Sequence, residues 1–205
     1  MPVSAPDAVE RVLAGVSRET RARLEIYADL LRKWQRTINL VGRSTLNELW
    51  TRHFADSAQL YPLLPEGTRV LVDLGSGAGF PGLVLAILGV PEVHLIEADS
   101  RKATFLREVV RATGAPVQIH VRRIEQVPPF PADVVTARAL APLADLLELA
   151  VPFIDRRGVA IFPKGQHVED ELTAATKTWN ITVDRFPSVT DQAATILRVS
   201  EVSRA

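Results

Sequence analysis

Four glycines crowd into eight residues, Gly75, Gly77, Gly79 and Gly82, directly after an aspartate, Asp73. Glycine lacks a Cβ, so such a run lets the backbone turn tightly and come close to a ligand. The preceding Val70-Leu71-Val72 is an apolar run that suits a strand buried on both faces. Pro81 suits a first helical residue, and Leu83-Val84-Leu85-Ala86-Ile87-Leu88 is apolar all round, as a helix packed on a sheet should be. Strand, loop and helix make a nucleotide-type site with the helix N-terminus facing the ligand. Gly77-x-Gly79-x-x-Gly82 formally matches a dinucleotide fingerprint. Glu97 ends the next apolar run and is placed to accept hydrogen bonds from ribose hydroxyls.

With Asp73 included, the spacing becomes Asp-x-Gly-x-Gly-x-Gly, which resembles the first motif of the S-adenosylmethionine-dependent methyltransferases. Such a loop wraps the methionine half of a cofactor without a pyrophosphate. Both cofactors stay open at this point. Other candidate groups sit where later strands end. Arg122-Arg123-Ile124-Glu125 follows one apolar run, Arg138 ends another, and Lys164-Gly165-Gln166 ends a third. In open α/β sheets those ends line the ligand crevice. Glu125 is placed to accept from an adenine amino group, with Ile124 packing on the ring. His53 falls on an apolar stripe, as either a core histidine or a functional one. Arg52 and Asp56 have the spacing of a surface ion pair. His94, His120 and His167 show no metal-ligand spacing, so no metal is expected.

These groups need a scaffold. Ser4-x-x-Asp7 and Thr45-x-x-Glu48 have the form of capping boxes, and Ser17 is a further N-cap candidate. Leu24, Tyr27, Leu30, Leu31 and Trp34 form a helical stripe, and Leu46, Leu49, Trp50, His53 and Ser57 form another. Residues 1–62 thus read as a helical extension packed on a body formed by residues 63–205. In the body the pattern changes to strand–helix alternation. Strands are expected near 69–73, 93–97, 117–121, 133–137 and 159–163, followed by strand-like runs at 181–183 and 194–199. Helices are expected near 81–89, 100–113 and 142–154, and from about 166 to 177. Ser100 is the expected N-cap and Gly114 the expected C′ residue of the second. The fold class is therefore α/β and Rossmann-like: a mostly parallel seven-stranded sheet, helices on both faces, an amino-terminal helical extension.

The 205 residues suffice for a full core, and with 47% hydrophobic and 23% charged residues a globular protein is expected. The absence of cysteine excludes disulfides and cysteine-bound zinc, and is compatible with the cytoplasm. No signal peptide and no membrane-spanning run is read. The 24 basic and 24 acidic residues balance. Nucleic-acid binders are often basic overall, but the charge is uneven. Residues 1–56 hold nine Lys/Arg against seven Asp/Glu, residues 99–125 six against three, and residues 139–205 seven against nine. Two mildly basic stretches are thus able to present one basic face.

Several stretches together resemble one family: Trp34-x-x-x-x-Asn39-Leu40, Arg52-His53-x-x-Asp56-Ser57, the Asp73-to-Gly82 loop with its Phe80-Pro81, Arg138-Ala139 and Lys164-Gly165-Gln166. They are similar to the ribosomal RNA small-subunit methyltransferase G family, also called glucose-inhibited division protein B. The resemblance covers residues of about 25 to 200. It implies a class I methyltransferase that moves the methyl group of S-adenosylmethionine to N7 of a guanine in 16S ribosomal RNA, guanine 527 in the RNA's numbering, leaving S-adenosylhomocysteine. The family's cofactor contacts fall on Gly75, Phe80, Ile124, Glu125 and Arg138, beside Asp73, Gly77 and Glu97 from the residue reading. Many members have Leu at Phe80 and Val or Ala at Ile124, so those two carry over by position. Asn39, Arg52, His53 and Arg123 are the expected RNA contacts. Arg138 and Lys164 are expected to position the reactants, because N7 carries no proton and needs no general base. The expected partner is small-subunit ribosomal RNA or the 30S particle, with the protein a cytoplasmic monomer. Two other classes stay open: a methyltransferase for a small molecule or protein, and a non-catalytic nucleotide-binding module.

Overall fold

The computed structural model describes residues 5–205, with side chains from Ala8 onward. The Ser4 capping box lies outside the described residues. Seven strands form one sheet: β1 (Val70–Leu74), β2 (Glu92–Ile96), β3 (Val117–His120), β4 (Ala132–Ala137), β5 (Ile154–Lys164), β6 (Trp179–Pro187) and β7 (Thr195–Arg204). Their order is β3-β2-β1-β4-β5-β7-β6, and only β7 runs antiparallel to its neighbours. Chain order reverses direction at β1, so a crevice opens past the carboxyl ends of β1 and β4.

The α-helices are α1 (Ala5–Leu13), α2 (Arg18–Trp34), the one-turn α3 (Asp56–Ala58), α4 (Gly82–Leu88), α5 (Ser100–Thr113), α6 (Leu143–Ala150) and α7 (Val168–Ala175). Strand residues alternate between two cores, as a period of two requires. Leu71, Val93, Leu95, Val134 and Ile161 share one core with α4 and α5, on which α2 packs in turn. Val72, Leu74, Ile96, Val135 and Phe162 face α6 and α7. In α2 the buried residues are Leu24, Tyr27, Ala28 and Leu31, an i, i+3, i+4, i+7 stripe. α2 therefore packs on α4 and α5, as an outer layer over that face of the sheet.

Helix ends follow local chemistry, with two corrections. Ser17 caps α2 by accepting from the Thr20 amide at 3.1 Å, and Gly114 ends α5 in the left-handed region at φ 63°. The expected Ser100 cap is replaced by Asp99, whose carboxylate accepts from Arg101 and Lys102 amides. An acidic residue one position earlier offers a stronger acceptor at the positive helix end. The expected Thr45 capping box does not form. Residues Arg43–Glu48 make a 3₁₀ turn behind Gly42, then Trp50–Ala55 widen into a π-helix that runs into α3. The Thr45 hydroxyl instead donates to the Gly42 carbonyl at 2.8 Å and pairs with His53.

Candidate active site

The crevice is a cleft of about 830 Å³, lined by the glycine loop, the β4–α6 loop, the end of β5 and the Arg52–Asp56 segment. The loop adopts left-handed backbone at Gly75, Gly77 and Gly79, with φ of 63°, 57° and 97°. The three positions serve different ends. A Cβ on Gly77 would find nothing nearer than the Gly75 carbonyl at 3.9 Å. A Cβ on Gly79 would lie 2.7 Å from the Tyr27 hydroxyl and 3.0 Å from Leu83. Gly77 faces the cleft and Gly79 faces α2. Tyr27 donates its hydroxyl to the Ala78 carbonyl and stacks on Phe80 with centroids 5.2 Å apart, so the amino-terminal helices hold the loop directly.

Two acids brace the loop from behind. Glu97 accepts from the Gly77 amide through one oxygen and from the Asp99 amide through the other, both at 2.7 Å. Asp73 is fully buried. Thr136 donates to its Oδ1 at 2.8 Å, while Oδ2 has no hydrogen-bond partner within the described residues. Burial pushes the Asp73 carboxyl up to about 6, opposed by the Thr136 hydrogen bond and by Arg138.

Arg138 directly follows β4 and its side chain is four-fifths buried. One terminal nitrogen donates to the Arg52 carbonyl at 2.9 Å and to Asp56 at 3.1 Å. The other donates to His53 Nδ1 at 2.9 Å, and the guanidinium lies 5.2 Å from the Phe80 ring centroid. A guanidinium only donates, so His53 Nδ1 accepts and its proton sits on Nε2. Nε2 then donates to Thr45 at 2.8 Å, which donates on to Gly42. Burial, Arg138 and Arg52 lower the His53 pKa to about 4. His53 is thus a neutral imidazole with both nitrogens engaged.

Asp56 is the second hub. Its other oxygen accepts from Gln59 at 3.0 Å and Thr190 at 2.7 Å. Gln59 also donates to Ser188 and accepts from the Val189 amide. The β6–β7 loop is thereby tied to the same cluster. The expected Arg52–Asp56 pair is not formed: Arg52 reaches Asp191 at 3.0 Å and Asp56 holds Arg138. Lys164, buried at the end of β5, pairs with Glu171 at 2.6 Å and donates to the Ala141 carbonyl at 3.0 Å. Glu171 also accepts from the Leu143 amide at the start of α6. Neither strand-end cation is left free, as their rim positions had suggested.

Other expected residues lie apart. Asn39 is exposed, outside the cleft lining, and accepts weakly from Gln35 at 3.3 Å. Arg123 precedes the short turn Ile124–Gln126; it and Glu125 are exposed and Ile124 half-buried against the second core. None of the three lines the cleft. Arg52, His53, Gly75, Gly77, Phe80, Arg138 and Lys164 do. His94 and His120, read as scattered, meet across β2 and β3 at 2.9 Å, and His94 also reaches Glu92. Within the described residues no group of three or more His, Cys, Asp or Glu is placed to hold a metal. Thr45, Gln59, Thr190 and Glu171 were missed because their partners are not visible in local spacing.

Strand order, the antiparallel β7 and the glycine cleft together define a Rossmann-like class I methyltransferase fold. The ribosomal protein L11 methylase from Lactobacillus delbrueckii subsp. bulgaricus shares it, with TM-score 0.60 over 78% of this chain and 80% of that one, at 16% identity. The particular family is resolved by sequence: the chain belongs to the rRNA small subunit methyltransferase G (GidB) family, matched over residues 20–196. Ribosomal RNA small subunit methyltransferase G of Rhodospirillum centenum is 64% identical over 92% of this chain and 88% of its own length. The protein of the same name from Paramagnetospirillum magneticum is 61% identical over 93% of both.

Proposed function

We propose that this chain transfers the methyl group of S-adenosylmethionine to N7 of one guanine in 16S ribosomal RNA, guanine 527 by family resemblance. Family membership over residues 20–196 is the observation that carries the reading. The cleft suits the cofactor: Gly77 opens onto it with room where a side chain would stand. Its volume falls within the roughly 300–1,000 Å³ of small-molecule sites. Gly75, Gly77 and Phe80 would hold the methionine end, with Asp73 and Glu97 fixing the loop's shape. By family resemblance Ile124 and Glu125, outside the cleft's lining, would meet an adenine that reaches beyond it. When bound, the cofactor supplies an electrophilic methyl on a sulfonium.

The residues of the cleft accord with attack by a nitrogen that has no proton to lose. His53 is neutral with both nitrogens engaged, and Asp56, Lys164 and Glu171 are all paired. Their chemistry is positional. Arg138 fixes the β4 end against the Arg52–Asp56 segment, and Lys164 fixes Ala141 at the far end of the β4–α6 loop. Orientation of this kind is worth on the order of 7–11 kcal/mol in well-aligned reactions. The N7 edge of a paired guanine lies in a groove that side chains cannot read, so the target is unpaired or splayed out. The enzyme acts as a cytoplasmic monomer on this reading. Within the described residues no helix is long and apolar enough to cross a membrane.

Incubation with labelled S-adenosylmethionine and purified small subunits, followed by nucleoside mass spectrometry, tests the proposal. The expected product is 7-methylguanosine at one position. Methylation at another atom, or label appearing only in protein or small molecules, would overturn it.

A further inference from the structure

We propose that the substrate RNA seats a second unpaired nucleotide in a pocket beside the cofactor cleft, between the end of α2 and the start of α5. The inference rests on the RNA-methyltransferase reading above. The two helices run antiparallel: Arg23 donates to the Thr113 carbonyl at 2.7 Å at one end, and Trp34 meets Phe105 with centroids 5.9 Å apart at the other. Between them lies a cavity of about 390 Å³ lined by Lys33, Trp34, Thr37, Ile38, Arg101 and Thr104. Its walls offer an indole, an isoleucine and two threonines, and its charged members are both cations. Adjacent residues of the chain divide between the cavity and the cleft. Arg101 lines the pocket while Lys102 lines the cleft, and Thr37 and Ile38 line the pocket while Leu40 and Val41 line the cleft.

A second observation points to an anion. Arg101 and Lys102 stand in the first turn of α5, which carries no acidic residue. The positive end of a helix dipole disfavours cations there. The Asp99 cap offsets part of this charge, and the Arg101 guanidinium still extends into solvent. Arg101 is three-quarters exposed and its carboxylate neighbour Asp99 stands at 3.5 Å, a surface pairing of little strength. An apolar slot beside an aromatic ring takes the face of a base, and flanking cations take phosphate. A nucleotide supplies both from one unit. An RNA loop that splays out its target guanine also leaves neighbouring bases unstacked.

Thr104→Phe fills the pocket without altering charge, since Thr104 is exposed and its hydroxyl bonds within its own helix, to Ser100. With small subunits as substrate, KM should rise about fivefold or more, while cofactor affinity and melting temperature hold. The double variant Lys33→Gln, Arg101→Gln should weaken binding to protein-free 16S RNA and flatten its salt dependence by about one to two counterions. Wild-type kinetics in Thr104→Phe would overturn the pocket. So would a defect on assembled subunits with unchanged binding to protein-free RNA, which would indicate a ribosomal protein as the occupant. A wild-type enzyme that methylates no RNA would remove the underlying reading itself, and that result is visible before any variant is made.

Discussion

The two ends of the β4–α6 loop are both staked by a cation at a strand end, yet the two stakes differ in reach. Lys164 joins β5 to Glu171, seven positions along the chain, and to Ala141. Arg138 gathers the Arg52 carbonyl, His53 and Asp56, more than eighty residues away in sequence, and through Asp56 the β6–β7 loop. Lys164 is replaceable as a charge pair. Arg138 works as a junction, and a planar fork with several donors suits a junction where a point charge does not.

The largest effect should come from breaking the junction. Arg138→Ala leaves Asp56 mostly buried and unpaired, and loss of one partner from such a pair costs about 3–5 kcal/mol. Methylation should fall about a hundredfold and the melting temperature should drop, in contrast to the small change expected of a simple rim residue. Arg138→Lys should keep part of the stability and little activity. Lys164→Met should destabilise by a similar amount, but Lys164→Met with Glu171→Leu should regain most of it, as apolar replacement of buried pairs often does. An Arg138→Leu, Asp56→Leu pair should not recover activity, because His53 and the Arg52 carbonyl lose their donor as well. Equal rescue at both sites, in thermal melts and transfer assays, would erase the distinction between the two stakes.

The next effect separates two glycines. Gly77→Ala should cut cofactor affinity about tenfold or more by calorimetry, since its Cβ would enter the cleft, at a stability cost of about 1–2 kcal/mol for a side chain in left-handed backbone. Gly79→Ala should lower stability as well, because its Cβ would strike Tyr27 and Leu83.

A pH series sharpens the comparison further. His53 has a folded pKa of about 4, below its ordinary 6.5, so its contribution is full above pH 6.5 and is lost as pH falls toward 4. Asp73 has a folded pKa of about 6, above its ordinary 3.8, so its contribution is full below pH 3.8 and is lost as pH rises toward 6. The two slopes oppose between about pH 4 and 6. Asp73→Asn should therefore make melting temperature fall more steeply on acidification, and His53→Gln should make it fall less. Identical pH profiles for both variants would contradict these assignments. The smallest effect belongs to Arg52→Ala. Its pair with Asp191 is more than a third exposed on both sides and worth at most about 1 kcal/mol, so stability should hold while KM for the RNA rises several-fold.

Much of this was legible from local pattern. The glycine loop, the strand order of burial, Ser17 and Gly114 all depend on neighbours within a few residues. The α5 cap is local too, but Asp99 takes it one position before the expected Ser100. What stayed hidden was pairing across distance. Nothing near Asp56 announces Arg138, and nothing near Gln59 announces Ser188 and Thr190. His94 and His120 meet through strand register, which spacing alone does not reveal. Thr45 has the letters of a cap, but its hydroxyl is held by Gly42 and His53.

The hydroxyl of Tyr27 on the Ala78 carbonyl has a consequence for the order of synthesis. A ribosome releases α2 first and the loop it holds 51 residues later, while Phe105 and Leu106, which share its core, follow later still. Until then the apolar stripe of α2 lacks α4 and α5 to pack against, so the nascent chain must carry it unpaired. A chain begun at residue 63 would emerge with the outer surfaces of α4 and α5 uncovered and a cofactor loop held from one side only.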